Sequence, residues 1–145
     1  MVRLEPVTKE NLEAVLALRV REGQESFVST TAESLAQAYA YAETAFPFAV
    51  LDGGETVGFI MMGYYADKQY YTLWKLLIDR DRQGRGYGRK ALELGIAYLK
   101  KRFGVREVYT GVVPENTAAK RLYLSAGFAE TGLFENGMEE LRLKC

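Results

Sequence analysis

Gln83-Gly84-Arg85-Gly86-Tyr87-Gly88 joins two different kinds of sequence. Before it stands an apolar run, Leu73-Trp74-Lys75-Leu76-Leu77-Ile78, with the composition of a buried strand. After it a helical pattern extends from about Arg89 to Phe103. A strand, a glycine turn and a helix aim several backbone N–H groups at one point, where the helix dipole also favours an anion. The stretch therefore reads as a phosphate cradle.

Downstream, Ala91, Leu92, Gly95, Ile96 and Leu99 form the inward stripe of that helix, and Gly104 ends it. Glu107 to Val112 reads as a strand and Thr117 to Ala126 as a helix. From Phe128 a strand turns at Asn136-Gly137 into Met138 to Leu143. Upstream, Phe48 to Leu51 and Val57 to Met62 are strands separated by Asp52-Gly53-Gly54, a hairpin signal, and a third strand covers about Tyr70 to Ile78. These three predict an antiparallel meander. Further back, Thr30-Thr31-Ala32-Glu33 has capping-box spacing before a helix whose apolar stripe is Leu35, Ala38, Tyr39 and Ala42. Val2 to Val7 predicts an edge strand, and Thr8 is expected to cap a helix carrying Leu12, Val15, Leu16 and Leu18. Residues 19–29 have no clear period and are expected as a loop or irregular helix end. Because a helical crossover joins strands in parallel, the expected fold is α/β with a mixed sheet: a meander half and a βαβ half.

The 145 residues suit one domain, residues 1–145, able to bury a core without staples. Hydrophobic residues make up 48% and charged residues 26%, a globular balance. Nineteen basic residues offset nineteen acidic ones, so net charge points to neither nucleic acid nor a membrane surface, and any phosphate affinity must be local. The lone cysteine, Cys145, permits no internal disulfide and suits a reducing compartment. The absence of histidine removes Ser-His and Cys-His triads and histidine metal sites together. No apolar run is long enough to span a bilayer, so a soluble, cytoplasmic protein is expected.

Two specific phosphate readings and a plain tight turn compete for the glycine stretch. Gly86-x-Gly88-x-x-Ala91 matches the alanine form of a dinucleotide fingerprint, with Glu107 about 20 residues on, yet that fold places the turn after its first strand and three strands come first here. A P-loop needs Gly-Lys-Ser/Thr, and Gly88-Arg89-Lys90 does not supply it. A plain tight turn stays open on these residues alone.

The second half adds Pro114-Glu115-Asn116-Thr117-Ala118-Ala119-Lys120-Arg121-Leu122-Tyr123 and then Gly127-Phe128. With Gln83, Gly86 and Gly88 in the cradle, this resembles the GNAT (GCN5-related) N-acetyltransferases over nearly the whole chain. Ser34 to Tyr39, Val57-Gly58-Phe59 and Trp74 to Asp79 are similar to the small-amine, spermine/spermidine branch of that family. The resemblance implies the GNAT fold, with about six to seven strands, about four helices and two central parallel strands that splay apart. It also implies acetyl-CoA as the acetyl donor and direct transfer to a primary amine, with no metal.

Residue by residue, the resemblance implies that backbone groups of Leu76, Leu77 and Ile78 meet the pantetheine arm. Gln83, Gly84, Arg85, Gly86, Tyr87, Gly88 and Arg89 would surround the pyrophosphate. Asn116 either caps its helix or reaches the pantetheine amide, with Ala119 beside it, and Tyr123 donates a proton to the departing thiolate. The family often places an acidic residue where this chain has Trp74, so the base is open. Glu25, Glu22 and Glu115 are the nearest candidates by region, Glu25 first among them, and a water chain to a backbone carbonyl would serve too; Glu22, Trp74 and Tyr64 are expected around the amine. The aromatic residues Trp74, Tyr64, Tyr65, Tyr70 and Tyr71 form either a cation-binding wall or simple sheet packing. Alternatives within the enzyme class are a peptide N-terminus or an aminoglycoside as acceptor; outside it, a module that binds acyl-CoA without turnover. Dimers are common in the family, and the aromatic content of 12% permits a homodimer.

Overall fold

The computed structural model describes every residue from Met1 to Cys145. The elements are β1 (Val2–Pro6), α1 (Leu12–Leu16), α2 (Thr31–Ala40), β2 (Ala45–Asp52), β3 (Glu55–Tyr65), β4 (Tyr70–Ile78), a 3-10 turn (Arg80–Arg82), α3 (Tyr87–Phe103), β5 (Glu107–Val112), α4 (Thr117–Ser125), β6 (Ala129–Glu135) and β7 (Met138–Lys144). One seven-stranded sheet has the order β1-β2-β3-β4-β5-β7-β6. Every neighbouring pair is antiparallel except β4 with β5. The mixed sheet and its four helices are those the sequence predicts.

Both faces of the meander are covered. On one, Val50, Ile60, Met62 and Leu73 pack with Ala91, Leu92 and Leu99 of α3. On the other, Ala49, Leu51, Phe59, Met61 and Leu77 pack with Val15 and Leu18. Burial on both faces explains why β3 reads as a continuous apolar run rather than an alternating one. Helix α3 lies close on β3 because Gly95 has no side chain there: a Cβ would come within 2.9 Å of Met62 Sδ.

Two irregularities of β4 create the cleft. Met61 pairs with Lys75 and Met62 with Leu73, which leaves Trp74 as a bulged extra residue. On a regular strand Leu73 and Leu77 would share a face; across the bulge they enter opposite cores. Toward β5 the strand pairs only at Thr72 with Tyr109 and Leu73 with Thr110. Thr72 Oγ1 donates to the Tyr109 carbonyl at 2.9 Å and Thr110 Oγ1 to the Leu73 carbonyl at 3.1 Å, which pins the junction. Beyond it the strands part, and Trp74 to Ile78 has no strand partner on that side.

Some local expectations change. Thr8 does not cap α1; its N–H donates to Asn11 Oδ1, and Asn11 Nδ2 donates to the Pro6 carbonyl, so Asn11 stands at the helix start. The helix is only five residues long, with Val15 buried inside it and Leu18 beyond it, while Leu12 and Leu16 reach the surface. The Thr30–Glu33 capping box is present. Tyr39, however, is 88% exposed, because α2 turns Thr31, Ser34, Leu35 and Ala38 inward instead. No helix is long and apolar enough to cross a membrane.

Candidate active site

The glycine turn adopts the conformation the cradle reading requires. Gly84 and Gly86 have φ of 79° and 85°, in the left-handed region that other residues avoid. A Cβ on either would project into open space rather than into protein, so the turn presents bare main chain outward. Gly86 is the N-cap of α3 and supplies no side-chain cap, and the first turn holds no acidic residue. The first N–H groups of this 17-residue helix therefore have no side-chain cap at Gly86 and no carboxylate in the first turn. Gly88 serves packing, with its Cβ position 3.4 Å from Leu122 Cδ2.

Side chains brace the turn from behind. Gln83 Nε2 donates to the Ile78 carbonyl at 3.1 Å and to Gln24 Oε1 at 3.0 Å. The Tyr87 hydroxyl donates to Asp52 Oδ2 at 2.6 Å, and the Asp52 carboxylate pushes that phenol's pKa up. Arg89 Nη1 donates to Ser125 Oγ at 3.1 Å, joining the start of α3 to the end of α4. The irregular segment after α1 is tied to the same place: Arg80 N–H donates to the Arg19 carbonyl at 2.6 Å, and Arg19 N–H to Asp79 Oδ1 at 3.1 Å.

Between these parts lies a cavity of about 200 Å³. Leu76, Leu77 and Ile78 form its strand wall, and Gln83, Gly84, Gly86, Tyr87 and Gly88 its cradle end. Asn116, Ala119 and Tyr123 of the α4 region form the opposite wall. Asn116 Oδ1 accepts from Ala119 N–H at 3.3 Å, so the capping role is in use and the amide nitrogen is left over. Tyr123 is 7% exposed, and burial alone pushes its phenol up to about 12, which holds it protonated. Of the expected cofactor residues, Arg85 and Arg89 fall outside this lining. Gln24, Val20, Phe27 and Val28 line it without having been foreseen, since no local pattern marks residues 19–29.

A second cavity of about 510 Å³ shares none of those residues and adjoins the other end of β4, from Tyr70 to Trp74. Its lining is aromatic and acidic. Trp74 meets Tyr41 edge-on at 5.8 Å, Tyr65 meets Tyr70 at 5.9 Å, and Tyr70 stacks on Tyr109 at 3.9 Å. Asp67, Glu135, Glu139 and Glu140 bring four carboxylates against the single ammonium of Lys68. Tyr64 belongs to the lining, but its ring packs on Tyr71, which stacks on Phe103 of α3. Of the proposed aromatic wall, therefore, Trp74, Tyr65 and Tyr70 face this cavity and Tyr71 packs in the core. Glu22 and Glu25 line neither cavity, and Glu25 Oε2 accepts from the nearby Gly23 N–H at 2.8 Å. Glu140 and Tyr41 were not foreseen; Glu140 reaches the cavity because β7 pairs with β5 and sets it opposite Gly111.

A cradle at the mouth of splayed parallel strands, with a buried tyrosine on the next helix, agrees with the pattern met in the sequence. Residues 12–128 match the family described as "Acetyltransferase (GNAT) family". The chain belongs to the GNAT acetyltransferase family. It is similar to the spermine/spermidine N(1)-acetyltransferase of Bacillus subtilis (strain 168), at 28% identity over 99% of this chain and 97% of that protein. Among solved structures, an acetyltransferase from Thermus thermophilus has 27% identity and a TM-score of 0.79, covering 100% of this chain and 97% of that one. The spermidine N-acetyltransferase from Vibrio cholerae in complex with CoA and spermine has a TM-score of 0.74 at 20% identity, covering 97% and 92%, and shares the GNAT fold.

Proposed function

We propose that this GNAT protein transfers the acetyl group of acetyl-CoA directly to a primary amine of a small polycationic acceptor such as spermidine or spermine. The observation that carries the reading is the placement of two unlike cavities end to end along β4. One is bounded by bare main chain at a helix N-terminus, the other by aromatic rings and carboxylates. An anion suits the first and a cation the second.

In this reading the amides from Gly84 to Arg89 hold the diphosphate, with Arg85 and Arg89 adding charge from outside the cavity. The unpaired side of Leu76 to Ile78 receives the pantetheine arm in the manner of an added strand. Bound acetyl-CoA supplies an electrophilic thioester carbon and a thiolate leaving group. Tyr123 keeps its phenolic proton through neutral pH and delivers it from Oη to the departing sulfur. That thiolate has a conjugate pKa near ~8.5, so its protonation by a weakly acidic phenol is unfavourable at equilibrium but is coupled to amide formation. Trp74 and its neighbours orient the acceptor and exclude water from the junction at Leu73 and Thr110. An amine of pKa ~10 attacks only after giving its first proton to solvent, so its neutral fraction limits the rate near pH 7. The second proton, released from nitrogen as the C–N bond forms and the C–S bond breaks, passes to the Tyr123 phenolate and restores the phenol.

The test is incubation with acetyl-CoA and a panel of amines, following free thiol and the acceptor's mass. Acetylated spermidine or spermine with stoichiometric thiol is the expected result. Cofactor binding without amine-dependent thiol release from any member of the panel would remove the catalytic reading.

A further inference from the structure

The acceptor cavity already holds a cation of the protein's own. Lys68, in the turn between β3 and β4, reaches across the mouth to the β6–β7 hairpin, where its Nζ pairs with Glu135 and lies 3.4 Å from Glu140 Oε2. The two carboxylates are held very differently. Glu140 is fixed: its side chain is 17% exposed, Oε2 also accepts from the Tyr70 hydroxyl at 3.2 Å, and Oε1 accepts from Thr131 Oγ1 at 2.9 Å. Glu135 sits at the hairpin tip with 48% exposure. Of the other acidic lining residues, Glu139 is already paired with Lys120 at 2.6 Å.

We propose that Lys68 is a resident stand-in for the distal ammonium of the acceptor, and that Glu140 and Glu135 form the subsite that selects an acceptor with a second cationic centre. The proposal deepens the amine-acetyltransferase reading and rests on its location of the acceptor. Lys68 is carried by a flexible four-carbon stem on a turn, with its side chain 26% exposed, so it has a path into water once another cation takes its place beside Glu140. Glu140 cannot follow it, because Tyr70 and Thr131 hold it in place. Once Lys68 leaves, the Glu140 carboxylate needs another cation. A second ammonium on the acceptor supplies one, and the aromatic faces of Tyr65 and Tyr70 beside the subsite favour the same charge. A monoamine leaves the pair as it is and gains nothing from the subsite. Lys68 thus sets a threshold that a polycation crosses.

Trp74 is the single tryptophan of the chain and lines this cavity, so its emission reports occupancy without any turnover. The experiment titrates the full-length wild-type protein, Lys68→Met, Glu140→Gln and Glu135→Gln with spermidine and with butylamine. Wild type is expected to bind spermidine at least about tenfold more tightly than butylamine. Lys68→Met, which removes the competitor, should tighten spermidine by about threefold to fivefold and leave butylamine unchanged. Glu140→Gln should weaken spermidine at least about tenfold. Glu135→Gln, at an exposed tip, should weaken it by less and stands in if Glu140→Gln does not fold. Equal binding of the two amines, or a Lys68→Met protein that binds spermidine no better than wild type, overturns the subsite. Spermidine binding as expected with no acetyl transfer removes the proposed reaction and leaves the subsite. Acetyl transfer with an amine affinity indifferent to Lys68 does the reverse.

Discussion

The two ends of β4 are built on opposite principles. At Leu76 to Ile78 and the glycine turn, the proposed cofactor site is main chain: positive-φ glycines, an uncapped helix start and a strand side with no partner. At Tyr70 to Trp74 it is side chain, with rings and carboxylates gathered from β3, β4, β7 and the turns around them. A backbone site is defined by a few adjacent residues and changes only if the turn changes. A side-chain site can be rewritten position by position while the fold stands, which is why one cradle can serve many acceptors.

Variants should separate these ends, and the largest effect is expected at Tyr123, on the α4 wall of the first cavity. Tyr123→Phe should lower kcat by about 100-fold while leaving both KM values within about threefold, measured by steady-state kinetics on protein with an unchanged Tm. A near-wild-type kcat would assign the proton to another group. Gly86→Val comes next. A β-branched residue at φ 85° strains the turn, so KM for acetyl-CoA should rise about tenfold with the amine KM unchanged. A rise in the amine KM alone would contradict the division.

Gln83→Ala acts on the same end more gently. It removes the side-chain bonds to Ile78 and Gln24 that brace the turn, and about threefold to tenfold weaker acetyl-CoA binding by calorimetry is expected. The pH profile checks the same proton donor as Tyr123→Phe, without a substitution. Burial raises the Tyr123 pKa to about 12, so its donor form is complete below that value, and deprotonation begins to remove it only as pH approaches 12. The acceptor meanwhile gains neutral amine up to pH ~10, so activity should climb from neutral pH with no fall below about pH 11. A descending limb centred near 10 would show a phenol in water.

The same contrast explains what the sequence made legible. The cradle, the Gly53-Gly54 hairpin, the Thr30–Glu33 box and the Gly104 helix end are each written in neighbouring residues, because a particular φ or cap is a local demand. Glu140 could not be found that way. It enters the cavity only because β7 inserts between β5 and β6, a pairing that no local pattern encodes. The Trp74 bulge is likewise a property of register with β3, and Gln24 joins the cradle through a contact 59 residues away in sequence. Tyr39 misled for a different reason: the inward stripe of α2 begins with Thr31 and Ser34, whose hydroxyls disguise buried positions as polar ones. For Glu22 and Glu25, charge and region suggested a base near the amine, but the loop turns Glu25 back to its own Gly23 N–H.

The most direct test of a main-chain grip on the diphosphate is a pair of calorimetric titrations of the intact protein, one with coenzyme A and one with pantetheine, which lacks the diphosphate and the 3′-phosphoadenosine attached to it, repeated on Gly86→Val, in which the coenzyme A advantage should shrink. Coenzyme A is expected to bind with micromolar affinity and pantetheine at least about a hundredfold more weakly, a difference of about 2.7 kcal/mol. Equal affinities, or no complex with coenzyme A at all, would contradict it.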